Sequence, residues 1–306
     1  MSNSFVVGSR GSQLALWQAN WVKGRLEQLG AECRIEIIHT TGDKITDVAL
    51  SKVGTKGLFT KEIEEALLNG TIDLAVHSLK DMPTEIPKGL TLAATPVRED
   101  PRDAVVGKRL SEATRVGTSS LRRAAQLRAI RPDLHMENIR GNVDTRLRKL
   151  DEGQYDAILL ASAGLRRLGW QDRITELLEP EVMCPAVGQG ALTIETRDDN
   201  GAAWQICRRL EDAKTRIAVT AERAVLAALG GGCQVPIGAY ARIAEGVNLQ
   251  AVVVSPDGKS IIRKSIEGPY EEAERMGRQL GDQLLAAGAQ EILNAVYSTA
   301  DTRLMS

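Results

Sequence analysis

Arginine recurs in this chain where strand-like runs pass into helical ones. Gly117-Thr118-Ser119-Ser120 runs into Leu121-Arg122-Arg123, Arg140-Gly141-Asn142 opens a helix that carries Arg146, and Ala161-Ser162-Ala163-Gly164 leads to Arg166-Arg167. The first backbone N–H groups of a helix are unpaired, so such a junction attracts an anion, and a guanidinium beside it grips a carboxylate or phosphate with two parallel bonds. Arginines in a first turn also oppose the helix dipole unless an anion is bound. Ser9-Arg10-Gly11-Ser12 has the same form, with Ser12 either an N-cap or a ligand. In a chain of net charge −1, these junctions predict a small ligand bearing several anionic groups, not a broad nucleic-acid face.

Two further groups could do chemistry. Val76-His77-Ser78-Leu79-Lys80-Asp81-Met82-Pro83 sets Lys80 and Asp81 where a buried strand ends, the place at which ligands gather in open α/β sheets. Asp81 there could serve as acid, base or cation stabiliser; a solvated turn pair is the plainer alternative. Leu229-Gly230-Gly231-Gly232-Cys233-Gln234-Val235-Pro236 holds one thiol behind three glycines and ahead of a proline. Such a loop displays its thiol, although free cysteine more often packs as a small hydrophobe. The loop Lys52–Phe59 carries glycine and lysine but lacks the order of a P-loop.

The elements that must position these residues alternate strand and helix as far as residue 229, which predicts an α/β fold. Beyond it, three strand-like runs with a Ser255-Pro256-Asp257-Gly258 turn and two amphipathic stretches, Tyr270–Ala287 and Ala289–Tyr297, predict a small α+β domain. A chain of 306 residues exceeds one core. Arg98–Asp103 reads as a linker, and Cys184–Gly190 as the chain crossing back. The expected units are residues 1–99 with 191–211, residues 100–190, and residues 212–306.

Composition excludes several classes. The start has no basic segment followed by a long apolar run, and no apolar run reaches the length of a membrane span, so the expectation is a cytoplasmic protein. Cys33, Cys184, Cys207 and Cys233 contain no Cys-x-x-Cys pair, and the three histidines are dispersed, which predicts neither disulfides nor a metal site. Ten aromatic residues leave little for stacking on bases.

Taken in order, Arg10-Gly11-Ser12-Gln13-Leu14-Ala15, the 76–83 segment, Gly117–Arg123, Arg140-Gly141-Asn142-Val143, Pro185-Ala186-Val187-Gly188-Gln189-Gly190 and Gly231–Pro236 resemble the porphobilinogen deaminase (hydroxymethylbilane synthase) family of tetrapyrrole biosynthesis, over nearly the whole chain. The resemblance implies two lobes similar to periplasmic binding proteins and a third domain carrying the cysteine. It implies a dipyrromethane cofactor joined by thioether to Cys233, head-to-tail condensation of four porphobilinogen units with loss of ammonia, and release by water. Asp81 would stabilise the cation left by ammonia and move protons near the pyrrole nitrogens. Arg10, Ser12, Lys80, Thr118, Ser119, Ser120, Arg122, Arg123, Arg140, Arg146, Arg167 and Gln189 would hold cofactor and substrate carboxylates. A monomer acting on a small molecule, without metal, nucleic-acid or membrane partners, is implied. The short stretch from Gly107 to Thr114 and Gly230 depart from the family pattern. A non-catalytic anion-binding protein would share the lobes but leave Cys233 unexplained; a phosphate-handling transferase lacks its P-loop, and a DNA-binding regulator lacks a helix-turn-helix segment.

Overall fold

Two mixed α/β sheets and one smaller antiparallel sheet organise the chain, and a computed structural model describes them over residues 4–44, 58–231 and 235–304. Cys233, and residues 52–57 of the glycine- and lysine-bearing loop, lie outside the described residues.

The first part runs β1 (Ser4–Ser9), α1 (Gln13–Gln28), β2 (Glu32–Ile37), a short α2 (Thr41–Lys44), α3 (Lys61–Leu68), β3 (Leu74–Ser78) and β4 (Leu90–Ala94). Then come β5 (Asp103–Gly107), β6 (Arg115–Gly117), α4 (Leu121–Ile130), β7 (His135–Glu137), α5 (Val143–Asp151), β8 (Ala157–Ala161), α6 (Ser162–Arg167) and β9 (Ile174–Leu178). The chain returns through β10 (Leu192–Arg197) and α7 (Ala202–Arg208). The sheet orders are β2-β1-β3-β10-β4 and β7-β6-β8-β5-β9, and in each the fourth strand alone runs antiparallel to its neighbours. That strand arrives from the other half: β5 follows the crossing at 95–102, and β10 follows the crossing at 179–191. Helices cover both faces of the central strands, so β3 and β8 read as nearly unbroken apolar runs and are buried over Leu74–His77 and Ala157–Leu160.

The last part packs α8 (Ala213–Ala228) and α9 (Ala273–Leu284) on the meander β11 (Ile237–Ile243), β12 (Val247–Val254) and β13 (Ile261–Gly268). Its sheet alternates in the period-2 way: Ala239, Ala241, Leu249, Ala251 and Val253 face the helices, while Tyr240, Val252 and Val254 pack on Ala125 and Cys184 of the second sheet's layer. The two expected terminal stretches form α9 and α10 (Gln290–Leu304), joined through Leu285–Ala289 with Gly288 at φ 100°.

The three parts meet at one buried carboxylate. Glu222 on α8 takes two bonds from Arg98 of the first crossing, at 2.6 and 3.2 Å, and one each from the backbone N–H of Gly188 and of Ala241, both at 2.8 Å. The crossings also touch directly: Arg98 Nε donates to Gln189 O at 2.8 Å, and Gly190, at φ +87°, lies so near Glu99 that a Cβ would stand 2.3 Å from its carbonyl oxygen.

Candidate active site between the two lobes

The end of β3 sets the first half of the site. Leu79 is buried and its N–H donates to Ala191 O at 3.0 Å, which fixes a 3₁₀ turn over Leu79–Asp81. The Asp81 carboxylate is exposed and makes no hydrogen bond with the described residues. Lys80 beside it lies within electrostatic reach of the second lobe: loss of solvent pushes its ammonium pKa down, the Asp81 and Asp103 carboxylates oppose that, and the Arg123 and Arg122 charges push it further down. Gln18, buried on α1, braces the same strand end by donating to Ser78 Oγ at 2.9 Å.

The second half comes from helix starts on the other lobe. Ser120 caps α4 by accepting from Arg123 N, Thr118 Oγ accepts from Ser120 N at 3.2 Å, and Ser119 Oγ donates to Ile139 O at 2.6 Å. Sequence reasoning required an anion at this first turn, and the protein supplies one. Asp103, fully buried at the start of β5, accepts from Arg122 at 2.7 and 3.2 Å, from Arg123 Nε at 2.8 Å and from Gln189 Nε2 at 2.9 Å. Arg122 also donates to Cys184 O, and Arg123 to Leu159 O. Burial would raise the Asp103 carboxyl, but the two guanidinia and Gln189 outweigh it and hold the group far below the usual carboxylate range. The same burial lowers Arg123. The pair is charged, because a guanidinium keeps its proton even after a large drop. Asp103 opens β5 and does not end a linker; its signal in the sequence is a carboxylate opening the apolar strand Ala104–Val106, where an unpaired charge would be costly.

Arg146 on α5 donates to Gly141 O at 2.8 Å, and its pKa falls to about 10 through burial first and then the neighbouring Arg123 and Arg140 charges. Arg167 on α6 is also pushed down to about 10 by burial, with Glu99 opposing, and donates to Gly190 O at 2.6 Å. It lines a separate cavity of about 520 Å³ with Trp17, Trp21, Arg98 and Leu192, and Trp21 also packs against the core of the first lobe. Arg10 stacks over Phe59 at 4.2 Å, and Ser12 caps α1 by accepting from Ala15 N at 3.3 Å. Thus Lys80, Asp81, Arg122, Arg123, Arg140, Arg146 and Gln189 gather around one charge cluster, whereas Arg167 stands at the crossings.

A dipyrromethane, with carboxylates on each pyrrole, suits this donor set. Cations that depress one another across a partly buried cleft are relieved by an anionic ligand, and the capping hydroxyls of Ser12 and Ser120 accept from backbone while keeping their own O–H to donate.

Residues 5–205 match the family described as "Porphobilinogen deaminase, dipyromethane cofactor binding domain", and residues 216–286 match "Porphobilinogen deaminase, C-terminal domain". The porphobilinogen deaminase of Syntrophobacter fumaroxidans is 51% identical over 300 residues, covering 95% of this chain and 97% of the relative. That of Trichlorobacter lovleyi is 52% identical over 299 residues, covering 95% and 96%, and that of Gloeobacter violaceus 50% over 311, covering 97% and 95%. Among solved structures, the methionine-binding protein MetQ aligns with 68% of this chain and 89% of its own at 13% identity, with a TM-score of 0.43. Sharing half its residues with these relatives along nearly its whole length, the chain belongs to the porphobilinogen deaminase family.

Proposed function

We propose that Asp81 carries the deaminating condensation of porphobilinogen in this transferase of tetrapyrrole biosynthesis, and that the cations around it hold the carboxylates of the growing chain. The observation that supports this most directly is an exposed carboxylate without a hydrogen-bond partner among the described residues, fixed at the end of β3 beside Lys80 and the crowded guanidinia of the second lobe. Loss of ammonia from the substrate needs a proton at the departing amine and leaves positive charge on the ring. A preorganised anion beside that charge is a large catalytic contribution, and the same carboxylate is the group that would exchange a proton with a pyrrole nitrogen.

The dipyrromethane, which we place on Cys233, supplies the pyrrole carbon to which the first unit joins. Lys80, Arg140 and Arg146 grip acetate and propionate groups. Arg10, Ser12, Thr118, Ser119, Ser120 and Arg167 extend the set along the cleft. Arg122, Arg123 and Gln189 are committed to Asp103 and form a fixed charged floor. Four additions are followed by hydrolytic release.

Residues 1–99 with 191–211, residues 100–190 and residues 212–306 are the three domains in this reading, supported by the strand membership of each sheet. The protein works as a cytoplasmic monomer without nucleic-acid partners; light scattering that found a dimer at working concentration would overturn the monomer. No helix among the described residues is long and apolar enough to cross a membrane.

Intact-mass measurement tests the core of the proposal. The mass should exceed the sequence mass by two pyrrole units, and Cys233→Ser should lose the adduct; an unmodified chain that turns over porphobilinogen would remove the tether. Asp81→Asn should keep the adduct and lose about 100-fold or more in kcat.

A further inference from the structure

Three titratable side chains inside the first lobe are unused by the chemistry above. His77 on β3 and Glu195 on β10 are 7% and 0% exposed, and Nε2 of one meets Oε2 of the other at 3.1 Å. Glu64 on α3, 8% exposed, lies within electrostatic reach of both; burial foremost, and the Glu195 carboxylate, push its carboxyl pKa up. One carboxyl oxygen of Glu64 and one of Glu195 are buried without a hydrogen-bond partner.

Such a group is a poor device for stability. A buried ion pair is often no better than apolar residues of the same volume, and unpaired buried oxygens make it worse. Local rules broken in this way collect at functional sites. The location supplies the function. His77 is paired with Thr193 and Ser78 with Leu192, so β3 and β10 are still in register where the turn begins, and Leu79 N bonds Ala191 O immediately afterwards. The His77–Glu195 contact ties the two strands side chain to side chain four residues before Asp81. The backbone that β10 holds at Ser78 and Leu79 leads directly into Lys80 and Asp81.

We propose that the buried His77–Glu195 pair, flanked by Glu64, is a positioning unit that holds the Lys80–Asp81 turn in the orientation the condensation requires. It touches no substrate and acts through Asp81, so it rests on the reading of Asp81 given above.

The test compares Glu195→Gln and His77→Gln with Asp81→Asn and with the double variant Glu195→Gln/Asp81→Asn, all as adduct-bearing enzyme. The single positioning variants should keep the adduct by intact mass and a KM for porphobilinogen within about twofold, while kcat per adduct-bearing molecule falls about tenfold or more. Adding Glu195→Gln to Asp81→Asn should cost less than about twofold further, since both changes disable one carboxylate. A purely structural pair would lower the yield of folded protein and leave kcat per adduct-bearing molecule intact, and that result, or a full multiplicative loss in the double variant, overturns the unit. Should Glu195→Gln fail to fold, His77→Gln and Glu64→Asp carry the same comparison against Asp81→Asn. Near-normal turnover of Asp81→Asn overturns both readings, whereas loss there with retained turnover in Glu195→Gln overturns the positioning unit alone.

Discussion

Asp103 is the protein's own anion for two arginines that the chain's motifs offer as ligands. With both guanidinia and Gln189 closed on it, Asp103→Asn leaves two buried cations without their anion, and unfolding in urea should show a loss of about 3–5 kcal/mol. The carboxyl is held well below its ordinary value, so the folded state favours the ionised form. The stabilisation is therefore fully present above the unfolded carboxyl pKa of about 3.9 and is lost as pH falls through the lower folded value. Denaturation curves should become steeper in pH below about 4 for the parent chain than for Asp103→Asn; equal slopes would contradict the assignment. The motif Leu121-Arg122-Arg123 was legible in the sequence and announced a demand for negative charge. That the demand is met from a strand 19 residues earlier was not, because only packing brings the start of β5 under α4.

The helix starts were the most legible elements. Ser12 and Ser120 cap α1 and α4 where hydroxyl residues precede helical spacing, and arginine-bearing helices follow β6, β7 and β8 in the order read from the chain. Strand partnership was less legible: β10 lies between β3 and β4 although about a hundred residues separate them, because an apolar run says that a strand is buried but not beside which neighbour. The crossings make this exchange possible, and they are tight. Gly190→Ala forces a side chain into a positive-φ position against Glu99 O, which should destabilise by more than about 1 kcal/mol and lower the melting temperature by a few degrees in a thermal scan. Glu222, gathering Arg98, Gly188 and Ala241, makes the helix that precedes the Cys233 loop follow the same crossings.

For the molecule as a whole, a net charge of −1 conceals a local gathering of cations: burial first, and neighbouring guanidinia after it, push Lys80 and Arg146 down. Capture of an anionic substrate should weaken with screening: between about 50 and 500 mM NaCl the KM for porphobilinogen should rise several-fold with little change in kcat, measured as initial rates. A KM indifferent to salt would argue against carboxylate capture by those cations. The α/β class, the anion-seeking junctions, the turn carrying Lys80 and Asp81, and the family could all be read along the chain, because they follow from local spacing and from motif order. Only the folded chain brings Asp103 onto Arg122 and Arg123, and Glu222 onto all three parts. It also decided that His77, Glu195 and Glu64 share one buried site. Those are contacts between residues 13 to 131 positions apart, fixed by the pairing of strands and the burial of charge, and no local pattern encodes them.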